Sequence, residues 1–486
     1  MAQGIKLPFL PISEIAGRAA YFEAAYLKQI EVIAALEQRI DVLERQAALN
    51  SKTSNRPPSS DGLKKPPAQK RTQSLRSKSD RKSGGQHGHK GKTLRQTATP
   101  EHVINHYPEI CGACGAPLLA SMAEKTAARQ VVDLPVPPPP EVTEHRVHQC
   151  RCGQCDAVTR SVFPEGVSGS VQYGPRIAGI ASYLQTYHCI PQDRLSLVLS
   201  DLFGLSAVPA TLAQLIGRTA DRLIPFAAAV CERLSGSQVA VKHLDETGLR
   251  VEGKTQWLHV ICSPLLSHFR VSSRRGELLT GVCGLVVHDH WGPYFTIEGV
   301  QHALCNAHHL RELQALIVIE KEPWATDMKA FLLEAKALAD SRTDDRILDT
   351  NVMHELLQRY DEILAKAVAF HEAQPPVQAI SKAGKRRGRP KRRTGHNLAL
   401  RLQKRKTEVI RFLVETNVPF TNNEAERDLR MGKVRQKVSG CFRAMSGAEV
   451  FCTLRTVTCT ARKQGWSVIE TLMKPSDQLI AQLRLG

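Results

Sequence analysis

The runs QVAVKHL (238–244), TQWLHVIC (255–262), SHFRV (267–271) and GLVVHD (284–289) decide the fold. The first three are short, strand-like and joined by tight Gly/Lys and Ser/Pro turns, the signature of an antiparallel meander. The fourth is a continuous apolar run of the kind found in strands buried on both faces, and a short helix is expected just before it, around Gly276 to Cys283. In the known topology that has this order of elements, the first and fourth strands are adjacent and parallel. Asp245 ends the first and Asp289 ends the fourth, so their carboxylates are expected to meet. An acid at a strand end is ordinarily a turn residue, and the two gain weight only from a third.

Three antiparallel strands, a helix and a central parallel strand are the order of a ribonuclease H-like core, whose site a carboxylate from a later helix can close. TNNEAERDLRMGK (421–433) supplies one. Pro419 and Phe420 stop the preceding segment, Thr421 is a good N-cap, and Glu424 three residues on completes a capping box. Glu426 has no such structural task, and Arg430 and Lys433 follow at i+4 and i+7 on its own helical face. Alone, that is a solvated ion-pair face. With Asp245 and Asp289 it becomes three acids around one spot, which repel one another unless they hold divalent cations. Hard oxygen donors select Mg²⁺ or Mn²⁺, and two such ions suit an in-line phosphodiester displacement.

With 486 residues and 42% hydrophobic content, the chain is long enough for several domains. Its net charge of +19 is concentrated in two stretches: residues 62–95 hold eleven Lys and Arg against Asp80 alone, and residues 382–406 hold twelve with no acid. These read as arms that neutralise phosphates, with solubilising linkers as the bland alternative. Within the second stretch KRRGRPKRR (385–393) resembles an AT-hook, in which Arg387 and Arg389 would enter a narrow minor groove; a nonspecific phosphate clamp is the other reading. Its position between Asp289 and Glu426, with amphipathic stretches at 325–340 and 352–370, implies a helical insertion. Neither a signal peptide nor a membrane-spanning run is expected, which points to the cytosol.

Thirteen cysteines, an odd number with five clustered at 111–155, indicate metal binding and free thiols rather than a disulfide framework. Cys111-Gly-Ala-Cys114 and Cys152-Gly-Gln-Cys155 form two matched knuckles, a zinc-ribbon signal, although Cys150 could displace one of these ligands. Before them, Ile33, Leu36, Ile40, Leu43 and Ala47 step at heptad spacing, either as an oligomerising coiled coil or as a helix packed on the body. After them, residues 174–234 read as helices with Gly204 at a turn, either a helix-turn-helix or a helical spacer.

LDETGLRV (244–251), GLVVHDHWGPY (284–294) and FTNNEAERDLRMGKVRQKVSGCFR (420–443) resemble the insertion-sequence-66 family of bacterial DDE transposases. NRPPSSDGL (55–63), GGQHGHKGK (84–92), YGPRIAGIASYL (173–184) and RKQGWSVIETL (462–472) are similar to that family too, so the resemblance covers nearly the whole chain in collinear order. It implies Asp245, Asp289 and Glu426 as a catalytic triad holding two Mg²⁺ or Mn²⁺ ions, with Glu424 as the nearest rival for the third place. It also implies a basic residue at Lys433, and Arg430 beside it would join it in holding the terminal phosphates; the knuckle spacing, for its part, predicts a closed structural Zn²⁺ site on Cys111, Cys114, Cys152 and Cys155. Cys305 and His308 match a Cys-x-x-His pattern seen in several such families, as ligands or as packing residues.

The architecture expected is multidomain α/β. A helix or coiled coil (1–52), a basic linker (53–100), a zinc-binding domain (101–168) and a helical, DNA-binding domain (169–236) precede a ribonuclease H-like catalytic domain (237–440). That domain carries a helical insertion at about 310–415 and is followed by a C-terminal helical segment (441–486). The function the resemblance implies is binding of the element's terminal inverted repeats, cleavage to free 3′-hydroxyls and joining to target DNA. It further implies a homo-oligomer, accessory proteins of the same element and a nucleoid-associated, cytoplasmic location. A metal-dependent nuclease of the same fold and a non-enzymatic DNA-binding regulator are the alternatives.

Overall fold

The computed structural model describes residues 23, 26–34, 36–37, 39–40, 43–44, 93–124, 127–278, 281–342, 348–375 and 392–485. They fall into two units, one within residues 1–65, 144–200 and 206–486 and the other within 66–143 and 201–205. The smaller unit is mostly extended chain, as the prolines at 135 and 137–140, which cannot donate a backbone hydrogen bond, dictate. Side chains tie two of its segments: the amide of Thr97 donates to Gln130 Oε1 at 2.8 Å, Gln130 Nε2 donates back to the Thr97 carbonyl at 2.7 Å, and Gln96 Nε2 donates to the Ala128 carbonyl at 3.0 Å.

The larger unit is a mixed α/β structure. It opens with a small antiparallel hairpin, β1 (Gln149–Arg151) and β2 (Val158–Arg160), in which Cys150 faces Thr159. Helices α1 (Pro175–Ser182), α2 (Gln192–Phe203) and α3 (Pro209–Ser235) follow, the first and third started by a proline whose missing N–H costs nothing in the first turn. The last residues of α2 and Gly204 after it, whose φ is 61°, belong to the 201–205 segment of the smaller unit. Helix α3 is a core helix: Leu212, Ile216, Leu223, Phe226, Val230 and Leu234 are buried along its length.

Five strands form the central sheet: β3 (Val241–Val251), β4 (Lys254–Cys262), β5 (Ser267–Ser272), β6 (Gly284–His288) and β7 (Val300–Leu304). Their spatial order is β5-β4-β3-β6-β7; β3, β4 and β5 pair antiparallel, whereas β6 pairs parallel with both β3 and β7. The apolar run of β6 is buried from Leu285 to His288, as a strand between two neighbours requires. Two details differ from the sequence expectation. Strand β3 does not end at Asp245 but continues to Val251, because the hairpin with β4 turns only at Glu252 and Gly253. The helix expected around 276–283 is absent from the described residues there, where Gly276 and Gly281, the latter at φ 73°, break any helical run.

Beyond β7 come α4 (Asn306–Ala315), α5 (Pro323–Asp340), α6 (Thr350–Glu372), α7 (Thr394–Lys404) and α8 (Lys406–Val414). Their core, with Trp324, Phe331, Tyr360 and Phe412, is continuous with Leu285, Val287 and Leu304 of β6 and β7. Helix α9 (Asn423–Ser439) and helix α10 (Met445–Gln464) instead pack through Leu429 and Phe451 against Leu249, Leu258, Val260 and Phe269 of β3, β4 and β5. At Gly432 a Cβ would lie 2.7 Å from Leu258 Cδ2, so glycine there lets α9 close onto the sheet. The short helices α11 (Val468–Met473) and α12 (Ser476–Ala481) end the unit, and Arg222 of α3 donates to the carbonyls of Leu472, Met473 and Lys474.

Of the heptad positions, Ile33, Leu36, Ile40 and Leu43 are helical and about half exposed; Ala47 lies outside the described residues. So do the 55–63 and 84–92 motifs, Arg387 and Arg389. Among the described residues no helix is long and apolar enough to cross a membrane.

Candidate active site

The register of the parallel pair sets the site. His243 of β3 lies opposite Val287 of β6, and two residues further along each strand stand Asp245 and Asp289. Parallel pairing stops there, so the two carboxylates occupy the point where β3 continues and β6 leaves the sheet. Asp245 Oδ1 accepts the amide of Glu246 and Asp289 Oδ1 accepts the amide of Trp291, each at 2.9 Å.

Helix α9 brings the third acid. Its N-cap is Asn422, not Thr421, and no side chain caps its first turn, so the expected capping box does not form. The Asn422 side chain is used in a tertiary contact instead: Oδ1 is hydrogen-bonded to His243 Nδ1 at 2.9 Å and Nδ2 donates to the Leu244 carbonyl at 2.7 Å. Glu424 forms ion pairs with Lys463 and Arg427, both at 3.0 Å. Glu426 turns inward, with Oε2 3.5 Å from Arg311 Nη2 and Oε1 3.9 Å from His308 Nε2.

Electrostatics tie these acids together. The Asp245 carboxyl is pushed well above the usual carboxylate range by burial first, then by the negative charges of Glu246, Asp289 and Glu426. Asp289 is raised to about 6, again by burial first and then by Glu246, while the Trp291 amide and Arg275 pull it back. Among the described residues, however, the donor atoms that come within 4.8 Å of one another are those of Cys305, His308 and Glu426, and the three carboxylates are not such a group.

Sequence reasoning missed two features here. Glu246 is a buried fourth carboxylate: Arg275 donates to its Oε1 through Nε at 2.8 Å and Nη2 at 2.6 Å, and the Tyr294 hydroxyl donates to Oε2. The Arg275 guanidinium in turn lies 4.1 Å above the Trp291 ring. The signal was the Asp245–Glu246 pair itself, since neighbours on a strand face opposite ways and a buried acid needs a partner. The second feature is a set of neutral histidines around Asp289. His288 Nε2 is bonded to His302 Nδ1 at 2.9 Å, and His290 Nδ1 to His309 Nε2 at 3.2 Å, with burial lowering all four.

The basic residues of α9 divide. Arg430 is exposed, whereas Lys433 is half-buried and donates from Nζ to the Gly248 carbonyl in β3. Each cysteine knuckle, taken by itself, makes the same turn. Cys111 donates its amide to the Ala116 carbonyl and accepts from Gly115; Cys152 donates to Ala157 and accepts from Asp156. Gly115 and Asp156 hold the same left-handed position, at φ 71° and 61°. Backbone N–H groups within each turn, those of Cys114 and Ala113 and those of Gln154 and Cys155, lower the Cys111 and Cys152 thiols, as metal thiolates need. Cys150 lies outside its turn, on β1.

Residues 170–450 match the sequence profile described as Transposase IS66 family. The chain belongs to that family. Residues 108–156, which include both knuckles, match the zinc-finger binding domain of the same transposases, and residues 13–95 match a family of unknown function. No curated protein matched the chain. The matched range 170–450 spans Asp245, Asp289, Glu426, Arg430 and Lys433.

Proposed function

We propose that this transposase cleaves and joins DNA strands at Asp245, Asp289 and Glu426, on a sheet of ribonuclease H-like order. The observation that carries this reading is the parallel register of β3 and β6, which sets Asp245 and Asp289 two residues beyond the His243–Val287 pair, with α9, the helix of Glu426, packed against β3. Two Mg²⁺ or Mn²⁺ ions held by these three carboxylates would activate a water or 3′-hydroxyl and stabilise the leaving oxygen. The chain's own contribution is placement: β3 and β6 fix the aspartates by parallel register, and Asn422 fixes the start of α9. Glu246, paired with Arg275 and Tyr294, adds negative potential behind the aspartates without being free to bind an ion. Exposed Arg430 is the α9 residue suited to a DNA phosphate, and Lys433 secures the helix to the sheet. Arg387 and Arg389 are proposed as further phosphate or minor-groove contacts on sequence grounds alone.

The zinc-finger match supports a structural Zn²⁺, for which Cys111, Cys114, Cys152 and Cys155 are the proposed thiolates. The exposed heptad residues Ile33, Leu36, Ile40 and Leu43 suit pairing between copies in a homo-oligomer. The deciding experiment is strand transfer of a labelled element end by the purified protein with and without Mg²⁺. Joined product only with the ion is expected. Cleavage with no joining would make the protein a nuclease, and neither activity would leave a DNA-binding regulator.

A further inference from the structure

Where α4 begins, three metal-donor side chains converge from segments far apart in sequence. Cys305 is the N-cap of α4 and His308 is three residues on, so both lie on its first turn. Glu426 lies on the first turn of α9. Cys305 Sγ, a ring nitrogen of His308 and a carboxylate oxygen of Glu426 all come within 4.8 Å of one another. Backbone hydrogen bonds hold the two turns in place. The Cys305 amide donates to the His288 carbonyl at 2.9 Å, the Asn306 amide to the Phe420 carbonyl at 3.1 Å, and the Asn422 amide to Cys305 Sγ at 3.1 Å.

The polar inventory of this spot is incomplete without a further group. Glu426 Oε1 and His308 Nδ1 are both buried with no hydrogen-bond partner, and His308 Nε2 stands 3.9 Å from Glu426 Oε1, too far for a hydrogen bond. A tetrahedral ion with nitrogen and oxygen ligands at about 2 Å separates them by roughly 3.3 Å, so the imidazole and the carboxylate would close by about 0.6 Å on binding, and the thiol would have to follow. Neutral imidazole and thiolate are the forms that ligate, and coordination removes the thiol proton outright.

We propose that Cys305, His308 and Glu426 form a transition-metal site of the Zn²⁺ class, with mixed sulfur, nitrogen and oxygen ligands and a fourth position left for water. Soft thiolate with imidazole selects Zn²⁺ over Mg²⁺, so the site is chemically distinct from the proposed all-oxygen cleavage site although it shares Glu426 with it. It is also distinct from the cysteine knuckles, whose donors are thiolates alone. The inference concerns occupancy and does not require Glu426 to be catalytic.

The test is elemental analysis of the full-length protein after Zn²⁺ loading under reducing conditions and desalting. About two Zn²⁺ per chain are expected, one from each kind of site. Cys305→Ser and His308→Gln should each retain about one, with circular dichroism and melting recorded to establish folding. Should either variant unfold, Co²⁺ loading of the parent decides: a site of one sulfur, one nitrogen and oxygen adds ligand-field bands that differ from those of a four-thiolate site. One Zn²⁺ per chain in the parent, or two in both folded variants, overturns the proposal. Loss of strand transfer with both Zn²⁺ retained would count against the cleavage reading and leave this site standing.

Discussion

Asn422 Nδ2 donates to the Leu244 carbonyl at 2.7 Å, one residue before Asp245, and four residues ahead of Glu426 on its own chain. This contact sets the start of α9 against the middle of β3, so it determines how the third carboxylate meets the first. Asn422→Ala would leave the Leu244 carbonyl and His243 Nδ1 buried and unpaired, at a cost of about 1–3 kcal/mol in a urea denaturation. Strand cleavage should fall more than DNA-end binding. Asn422→Asp keeps the acceptor for His243 but loses the donor to Leu244, and should fall between the two.

Asp245→Asn, Asp289→Asn and Glu426→Gln are each expected to abolish cleavage and joining while end binding persists, since each removes a charge proposed to hold the ions and little packing. Glu424→Gln should remain active. Its carboxylate is occupied by Lys463 and Arg427, and Asp428 still faces Lys463 at 2.9 Å when that charge is gone. A stability loss on the order of 1 kcal/mol is expected for this partly exposed network. A dead Glu424→Gln beside an active Glu426→Gln in the same gel assay would exchange their roles.

The pH dependence has a definite sign. Asp289 is raised from the ordinary carboxyl range to about 6, so its contribution to stability is fully present below about pH 4 and is lost as pH rises through about 6. Asp245 shifts in the same direction. Without divalent ions, Asp289→Asn should therefore melt higher than the parent at pH 8 and alike at pH 4. Mg²⁺ should raise the parent's melting temperature more at pH 8 than at pH 5, because protons compete for the same oxygens. An Mg²⁺ effect independent of pH in differential scanning calorimetry would remove these carboxylates from the ion site.

Which of these features were legible in the sequence follows from where their causes lie. The strands were readable because alternation and the apolar run of β6 are local patterns, and the pairing of Asp245 with Asp289 then follows from strand order alone. The N-cap was misplaced because a capping box is a local rule, and the Asn422 side chain is instead taken up by a tertiary partner, His243. Strand β3 was cut short at Asp245 because a polar Asp-Glu pair reads as a turn until Arg275 and Tyr294 supply partners for Glu246. The tie from Asn422 to Cys305 was invisible for the same reason: its two residues are distant in sequence.

For the cysteine knuckles, Cys114→Ser should release one Zn²⁺ equivalent from the loaded protein and disorder the surrounding turn, while the catalytic sheet stays folded. Cys150→Ser should keep its metal, because Cys150 faces Thr159 on β1 and lies outside the Cys152–Cys155 turn. Full retention in Cys114→Ser with loss in Cys150→Ser would reassign the ligand.

Arg430 and Lys433 share a helical face yet should fail differently when replaced. Arg430 is exposed and makes a phosphate contact available, so Arg430→Ala should weaken DNA binding and reduce the slope of log affinity on log salt by about 0.9, the value of one lost phosphate contact. Lys433 is directed at the Gly248 carbonyl, and burial already lowers its ammonium below the ordinary lysine range. Lys433→Ala should therefore leave the salt slope unchanged and act on stability, since it removes the charged tie from the middle of α9 to the Gly248 carbonyl of β3. Lys433→Met, which keeps the packing stem, should recover part of that loss in thermal melts. If Lys433→Ala instead flattens the salt dependence as Arg430→Ala does, the ammonium leaves Gly248 when DNA arrives, and both residues belong to the phosphate-binding face.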